Sequence, residues 1–382
     1  MEPVTTRSSE PTITPVLYVA LELGSKDWKV GFSTGLGQRP RICSVPAGAL
    51  ERLHREIDRA RARFGVPADA PVRSAYEAGR DGFWIHRALC EAGVRNQVMD
   101  SSSILVDRRA RRAKSDGLDV GALLDLLMRF HAGDRQACRM VRVPSREAED
   151  ARQMQRELRE LKGERTALTN RIKGLLATQG TRLEGRGLRR GRVDVEALLD
   201  ARGAPLAEGL RTRIGREMER LRLLDAQIAQ VEQARQEELE AEHRKVAAEM
   251  AQKLMRLRAI GPETAWVSSV EVFAWRTFQN TRQVGALLGL APTPYQSGKS
   301  HREQGMSKAG NWHVRALAIE AAWAWVRYQP QSALTLWFHR RFGDAGPGGR
   351  KKGIVALARK LMIALWKYVQ HDELPEGALL KA

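Results

Sequence analysis

LYVALEL, residues 17–23, is an apolar run of strand length with one acid, Glu22, near its end. The apolar segment at 16–22 is followed so closely by others at 28–33 and 40–45 that only tight connections fit between them. Three antiparallel strands are the economical reading. A helical pattern near 47–63 precedes the strand-like PVRSAYE at 71–77, a second helix covers about 81–92, and a further strand-like run spans Val94 to Met99. A basic segment, a helix from about 115 to 131 and a last strand-like piece, CRMVRV at 138–143, complete the set. The order β-β-β-α-β-α-β-α predicts a ribonuclease-H-like α/β fold, in which helices cover a mixed sheet.

On such a sheet the ends of the first and fourth strands are neighbours, so Glu22 and Glu77 converge although they are distant in the chain. Asp116 and Asp119, in KSDGLDV, stand three apart at a helix start and share one face. Oxygen ligands of this kind suit Mg²⁺ or Mn²⁺, and ions bridging a phosphate activate one oxygen and stabilise the leaving one. An isolated D-x-x-D at a helix start also serves as a cap and dipole partner. An acid within an apolar strand is harder to explain that way, because an unpaired buried carboxylate is costly.

The charge balance points to the same kind of partner. The chain carries 64 Lys+Arg against 45 Asp+Glu, a formal charge of +19, for which a polyanion is the natural counter-surface. Just before the aspartates, RRARRAK places Arg108, Arg109, Arg111, Arg112 and Lys114 where they can position a phosphate backbone. Cys43, Cys90 and Cys138 are scattered and lack metal-ligand spacing, so they read as reduced thiols. No apolar run approaches a membrane span and no signal-peptide pattern opens the sequence. A soluble protein of the bacterial cytoplasm, with no membrane partner, is expected.

The predicted organisation is a disordered lead-in at 1–15, a metal-binding domain at 16–145, helices with a basic linker at 146–253, a mostly helical domain at 254–372 and a tail at 373–382. Leu161, Leu168 and Leu175 are seven apart, as are Ile214, Leu221 and Ile228, which predicts a coiled-coil hairpin or pairing with another subunit. The Arg- and Gly-rich stretch 180–192 between these helices is a candidate nucleic-acid contact or a plain surface loop. LRAIGPETAWVSSV, at 257–270, has the pattern of a helix-hairpin-helix turn, which directs backbone N–H groups at phosphate.

Further on, a polar, Gly-rich loop is expected between two apolar helices, with Ser297, Ser300 and Ser307 among Lys299, His301, Arg302 and Lys308. A serine there can attack phosphorus when its proton is removed, or can be a turn or cap residue. Ser307 is read as the start of the helix running through Trp325. Trp312, Trp323, Trp325 and Trp337 are read as core packing, with base stacking by Tyr295 or Trp312 as the alternative.

Together these blocks resemble the insertion-sequence 110 family of transposases, with its 1111-like branch and the related Piv invertases. Glu22, YEAG with Glu77, and AKSDGLDVGAL with Asp116 and Asp119 are similar to the family's DEDD motif; GLAP, SG and SKAGN, within 289–311, are similar to blocks of its second domain. The resemblance implies a RuvC-like first domain, a serine-bearing transposase domain, Mg²⁺ on the four acids and Ser297 as the nucleophile. It also implies excision and insertion of double-stranded DNA, guidance by a structured non-coding RNA, and a homodimer or homotetramer in which one subunit's first domain meets another's serine domain. The basic segments, with Lys299, Arg302 and Lys308, would then hold DNA or RNA. The family pattern begins with Asp, whereas Glu22 holds that place here and Asp27 is the second candidate. A Piv-like invertase, a RuvC-like junction nuclease using water, and a catalytically decayed nucleic-acid-binding protein are the competing readings.

Overall fold

The computed structural model describes residues 15–104, 116–182, 188, 193–242, 245–297, 300–308 and 310–381, with backbone alone at 116–118, 293–297 and 300–304. The chain forms two compact units divided between Val143 and Pro144.

The first unit is built on a five-stranded mixed sheet of β1 (Leu17–Leu23), β2 (Asp27–Ser33), β3 (Arg41–Pro46), β4 (Val72–Glu77) and β5 (Arg95–Met99), in the order β3-β2-β1-β4-β5. The first three strands are antiparallel neighbours, while β4 runs parallel to β1 and β5 parallel to β4. Two helices, α1 (Leu50–Phe64) and α2 (Trp84–Glu91), lie between these strands in sequence and α3 (Asp116–His131) follows them. Strand alternation sorts the side chains onto two faces. Leu17, Val19, Leu21, Val30, Val72 and Tyr76 pack with Leu53 and Ile57 of α1 and with Ile85 and Leu89 of α2. The opposite face carries Ala20, Gly31 and Ala75, small enough for Val120, Leu123, Leu124 and Leu127 of α3 to lie close.

One expected strand is missing: CRMVRV at 138–143 makes only an isolated antiparallel bridge, Met99 to Met140. Arg139 O accepts from Asp100 N and Val141 N donates to Val98 O, and the segment pairs with β5 through that one bridge.

The second unit is mostly helical. Its first long helices, α4 (Arg146–Asp150) continuing into α5 (Gln153–Ala177) and then α6 (Glu208–Glu240), include a pair, α5 and α6, that run antiparallel. Arg171 pairs with Glu217, Arg165 with Asp225 and Lys162 with Glu232, so partner numbers fall on one helix as they rise on the other. Leu168, Ile172 and Leu176 meet Ile214, Met218 and Leu221 along the seam. Of the predicted stripe, Leu168, Ile214 and Leu221 are thus buried within the chain. Exposed ion pairs of this type add little stability, and the apolar seam supplies most of it.

Beyond α6 come α7 (Val246–Met255), α8 (Pro262–Ser268) with a π-helical turn at Ser269–Phe273, α9 (Thr281–Leu287), a hairpin of β6 (Pro292–Ser297) and β7 (Ser300–Met306), then α10 (Trp312–Tyr328), α11 (Ala333–Phe342) and α12 (Pro347–His371). Leu254, Trp266, Ala322, Trp325, Leu357 and Leu361 belong to the shared core. Of the tryptophans read as core, Trp325 is fully buried, whereas Trp312 and Trp323 are 61% and 44% exposed. Trp323 stands two residues from Trp325, so a helix cannot bury both on the same face. Residues 373–381, read as a tail, are strapped onto this unit: Leu380 bridges Leu257, and Lys381 N donates to Arg256 O over 2.7 Å.

Candidate functional site

In the first unit Leu21 pairs with Tyr76 in the parallel β1–β4 ladder, and Glu22 and Glu77 are the next residue on each strand. Alternation sends both towards the α3 side, the face of Ala20 and Ala75. Both line one cleft, together with Leu23, Ala78, Gly79, Arg80 and Asp81. Glu22 also stands opposite Lys29 of β2, whose Nζ donates to Ser44 Oγ over 2.7 Å.

The direction of α3 brings the remaining acids to the same end of the sheet. Val120 Cγ2 would lie 3.4 Å from a Cβ at Gly31, which pairs with Ala20. At the other end of the helix His131 Nε2 is 3.0 Å from Gln97 Oε1, and its ring lies 6.1 Å from that of Tyr18. The helix therefore starts near the ends of β1 and β4 that carry Glu22 and Glu77. Asp116 is its first residue and Asp119, half-buried, stands one turn in. Among the described residues no three acidic, His or Cys side chains are close enough to hold a metal ion, and the Asp116 side chain lies outside them. Asp81 is not legible in the sequence as a site residue; AGRDG at 78–82 matches no motif, the helix expected from about 81 begins at Trp84, and Asp81 enters the cleft through the turn after β4.

That turn is held at both ends. Ala78 N donates to Met99 O over 2.8 Å, and the Tyr76 hydroxyl donates to Gly82 O over 2.9 Å. Burial pushes the Tyr76 phenol up to about 12, so it stays a donor across the physiological range. Gly24 tightens the β1–β2 turn on the other side, since a Cβ there would lie 2.3 Å from Asp27 O. Asp27 begins β2 opposite Pro46 and is exposed, away from the lining of the cleft.

In the second unit the expected polar loop is a β-hairpin. Ser297 ends β6 and pairs with Ser300, the first residue of β7, and Tyr295 pairs with Arg302. Alternating polar residues satisfy each other's backbone across the ladder, which a loop of this length cannot do. The two intervening residues, Gly298 and Lys299, lie outside the described residues, as do Arg108, Arg109, Arg111, Arg112 and Lys114. Of the 180–192 stretch, 183–187 and 189–192 also lie outside, while Leu188 is buried against the α5–α6 seam.

The hairpin's base is pinned by backbone bonds. Ser307 N donates to Ala291 O over 2.9 Å and Lys308 N to Gly289 O over 3.2 Å, with Lys308 itself exposed at φ 57°. Gly310 has φ +105°, and a Cβ there would stand 2.1 Å from Leu287 O, so only glycine fits. Ser307 does not start the next helix. Asn311 does, its Oδ1 accepting from His313 N and Val314 N while its Nδ2 donates to the largely buried Glu271 over 3.4 Å. Asn outranks most residues as a cap, and the GN pair in SKAGN was the available signal.

Comparison with known proteins adds what geometry leaves unnamed. A family model described as "Transposase IS116/IS110/IS902 family" matches residues 251–336, which include α8, α9, the hairpin and α10. A Sinorhizobium fredii protein named as a transposase, y4rJ, is 43% identical over 96% of this chain and 94% of its own length. A family 20 transposase of Pseudomonas aeruginosa is 29% identical over 72% of this chain and 77% of its own, and the transposase for insertion sequence element IS1111A of Coxiella burnetii is 27% identical over 75% of each. Transposase is the class these similarities share. The chain belongs to the IS116/IS110/IS902 transposase family.

Proposed function

We propose that this chain excises and inserts an insertion sequence by metal-assisted serine attack on DNA, with its first unit a RuvC-like domain. The observation that carries the reading is the adjacency of Glu22 and Glu77 at the ends of two parallel strands, at the same end of the sheet as the start of α3. Glu22, Glu77, Asp116 and Asp119 would hold Mg²⁺, for which an all-oxygen, acidic donor set is suited. When bound, Mg²⁺ polarises the phosphodiester and offsets charge on its oxygens.

The chain's own groups do the rest. Ser297 Oγ forms a bond to phosphorus as a P–O bond of the strand breaks; its proton passes to a general base, and a proton is delivered to the leaving oxygen, which departs as a hydroxyl end. The phosphodiester count is conserved, so the reaction reverses when a DNA hydroxyl attacks the serine adduct. Ser297 at the end of a hairpin strand whose base is pinned suits that step, since the pinned base orients the strand. The net charge of +19 supports binding of DNA and of a guide RNA from the element.

The test is a strand-transfer assay with Mg²⁺ and a supercoiled plasmid bearing the element ends, together with any RNA that co-purifies with the protein. Wild type should give a covalent protein–DNA adduct that Ser297→Ala does not form. Cleavage retained by Ser297→Ala would favour water as the nucleophile, and recombination intact without bound RNA would contradict the guided reading.

A further inference from the structure

In the second unit a groove of about 760 Å³ opens where the base of the hairpin meets α11 and α12. Its floor is apolar: Pro292 and Met306 from the hairpin, Val355 and Ile363 from α12, and the Trp337 ring from α11. Among the described residues its charged lining is of one sign, Lys352, Arg359 and Lys360. Pockets of this size and mixed lining accept small organic ligands, and the one-sided charge selects an anionic one.

Two details show how the groove is assembled. A Cβ at Gly285 of α9 would stand 2.8 Å from Arg359 Nε and 3.3 Å from its Cγ, so the missing side chain is what lets this arginine lie along the helix. The Lys360 ammonium stands 4.7 Å over the Trp337 ring, and Phe342 meets that ring edge-on with centroids 5.8 Å apart. The ring is thereby held, while its lysine cover is an exposed, flexible chain. Trp337 is half-buried, but its exposed ammonium cover stays hydrated and is held more weakly than a stacked base. A base can therefore displace the ammonium, which is then free to pair with phosphate.

We propose that this groove is a subsite for one unstacked nucleotide of a single-stranded segment, its base on Trp337 and its phosphates on Lys352, Arg359 and Lys360. The inference rests on nucleic acid being the substrate class, but not on serine chemistry, metal or RNA guidance. A protein side chain would use the apolar floor and leave three cations facing no partner, which is why a nucleotide is the better occupant.

The test is fluorescence anisotropy of the full-length protein with fluorescein-labelled twelve-residue oligodeoxythymidylate, without divalent metal and in the Ser297→Ala background. Catalytic failure then cannot affect the readout. Trp337→Ala should weaken binding roughly 5-fold to 150-fold, the range for loss of one stacked base, while Trp337→Phe should retain most of the affinity. Lys352→Gln with Lys360→Gln should flatten the salt dependence by about 0.7 for each phosphate that is no longer neutralised. A bromodeoxyuridine-substituted oligomer should photocrosslink to the peptides bearing Trp337 or Val355. No binding of the oligomer, equal affinity for wild type and Trp337→Ala, or crosslinks confined elsewhere would overturn the proposal. A change in subunit count on Trp337→Ala with oligomer affinity unchanged would also overturn it, by assigning the groove to another copy of the chain. Should Trp337→Ala fail to fold, the paired lysine variants and the crosslink decide the matter.

Discussion

Gln329 is fully buried just past the end of α10, and its amide ties two distant segments together. Nε2 donates to Arg258 O and to Leu379 O, each over 2.9 Å, and Oε1 accepts from Leu379 N over 2.7 Å. Gln329→Ala deletes all three bonds. At about 1 kcal/mol net for each bond, the variant should lose about 3 kcal/mol. Truncation after Asp372 removes the two bonds to Leu379 by another route, so in the truncated chain the same substitution should cost only about 1 kcal/mol. Urea unfolding followed by tryptophan fluorescence gives the four stabilities of this cycle, provided the slope with denaturant is unchanged by Gln329→Ala in each background. A loss well below 1 kcal/mol in the full chain, or an equal loss in both backgrounds, would refute the strap as drawn.

Gly310→Ala should destabilise by about 2–4 kcal/mol, from left-handed backbone strain plus the contact with Leu287 O, and should lower strand transfer by shifting the hairpin. Gly305→Ala, with nothing within 4 Å of its Cβ, is the control that should leave stability nearly unchanged. Glu22→Gln and Glu77→Gln should reduce Mg²⁺-dependent strand transfer by more than the roughly 10–100-fold typical of losing an outer-shell partner, whereas Glu22→Asp should stay active; full activity in both glutamine variants would remove the metal role. The first unit should be acid-labile in a defined window. Burial, then the charges of Arg73 and Arg135, holds the His131 imidazole down at about 4, so its contribution is complete above about 6.5 and is lost as pH falls from there towards 4. The hydrogen bond from Arg41, together with Arg59, holds the Glu56 carboxyl below its usual range, so that pair weakens only at lower pH still. His131→Gln should flatten the first part of the stability profile, as followed by thermal melts across pH.

The strands and helices of the first unit were legible because their residues obey a single period each. β1 alternates towards two buried faces, and α1 places Leu53, Ile57 and Ala60 on one side. The hairpin at 292–306 escaped because its strands are polar and carry no apolar alternation, although a two-residue gap containing Gly298 was a turn signal in plain view. CRMVRV escaped in the opposite sense: its composition is that of a strand, yet it makes a single bridge to β5. For Trp312 and Trp323 residue type alone is misleading, and the helical period that buries Trp325 turns Trp323 outward.

From the amino-acid order alone came the element sequence of the first unit, the pairing stripe of α5 and α6, the acids worth following, the polyanion partner and the family resemblance. These are local or compositional properties, and a single chain carries them without reference to its neighbours in space. The tertiary structure was needed to add Asp81 to the cleft of Glu22 and Glu77, to give the helix cap to Asn311 instead of Ser307, and to fold residues 373–381 onto Gln329. Each of these depends on strand register or on contacts between residues far apart in sequence, where geometry rather than residue type selects the partner.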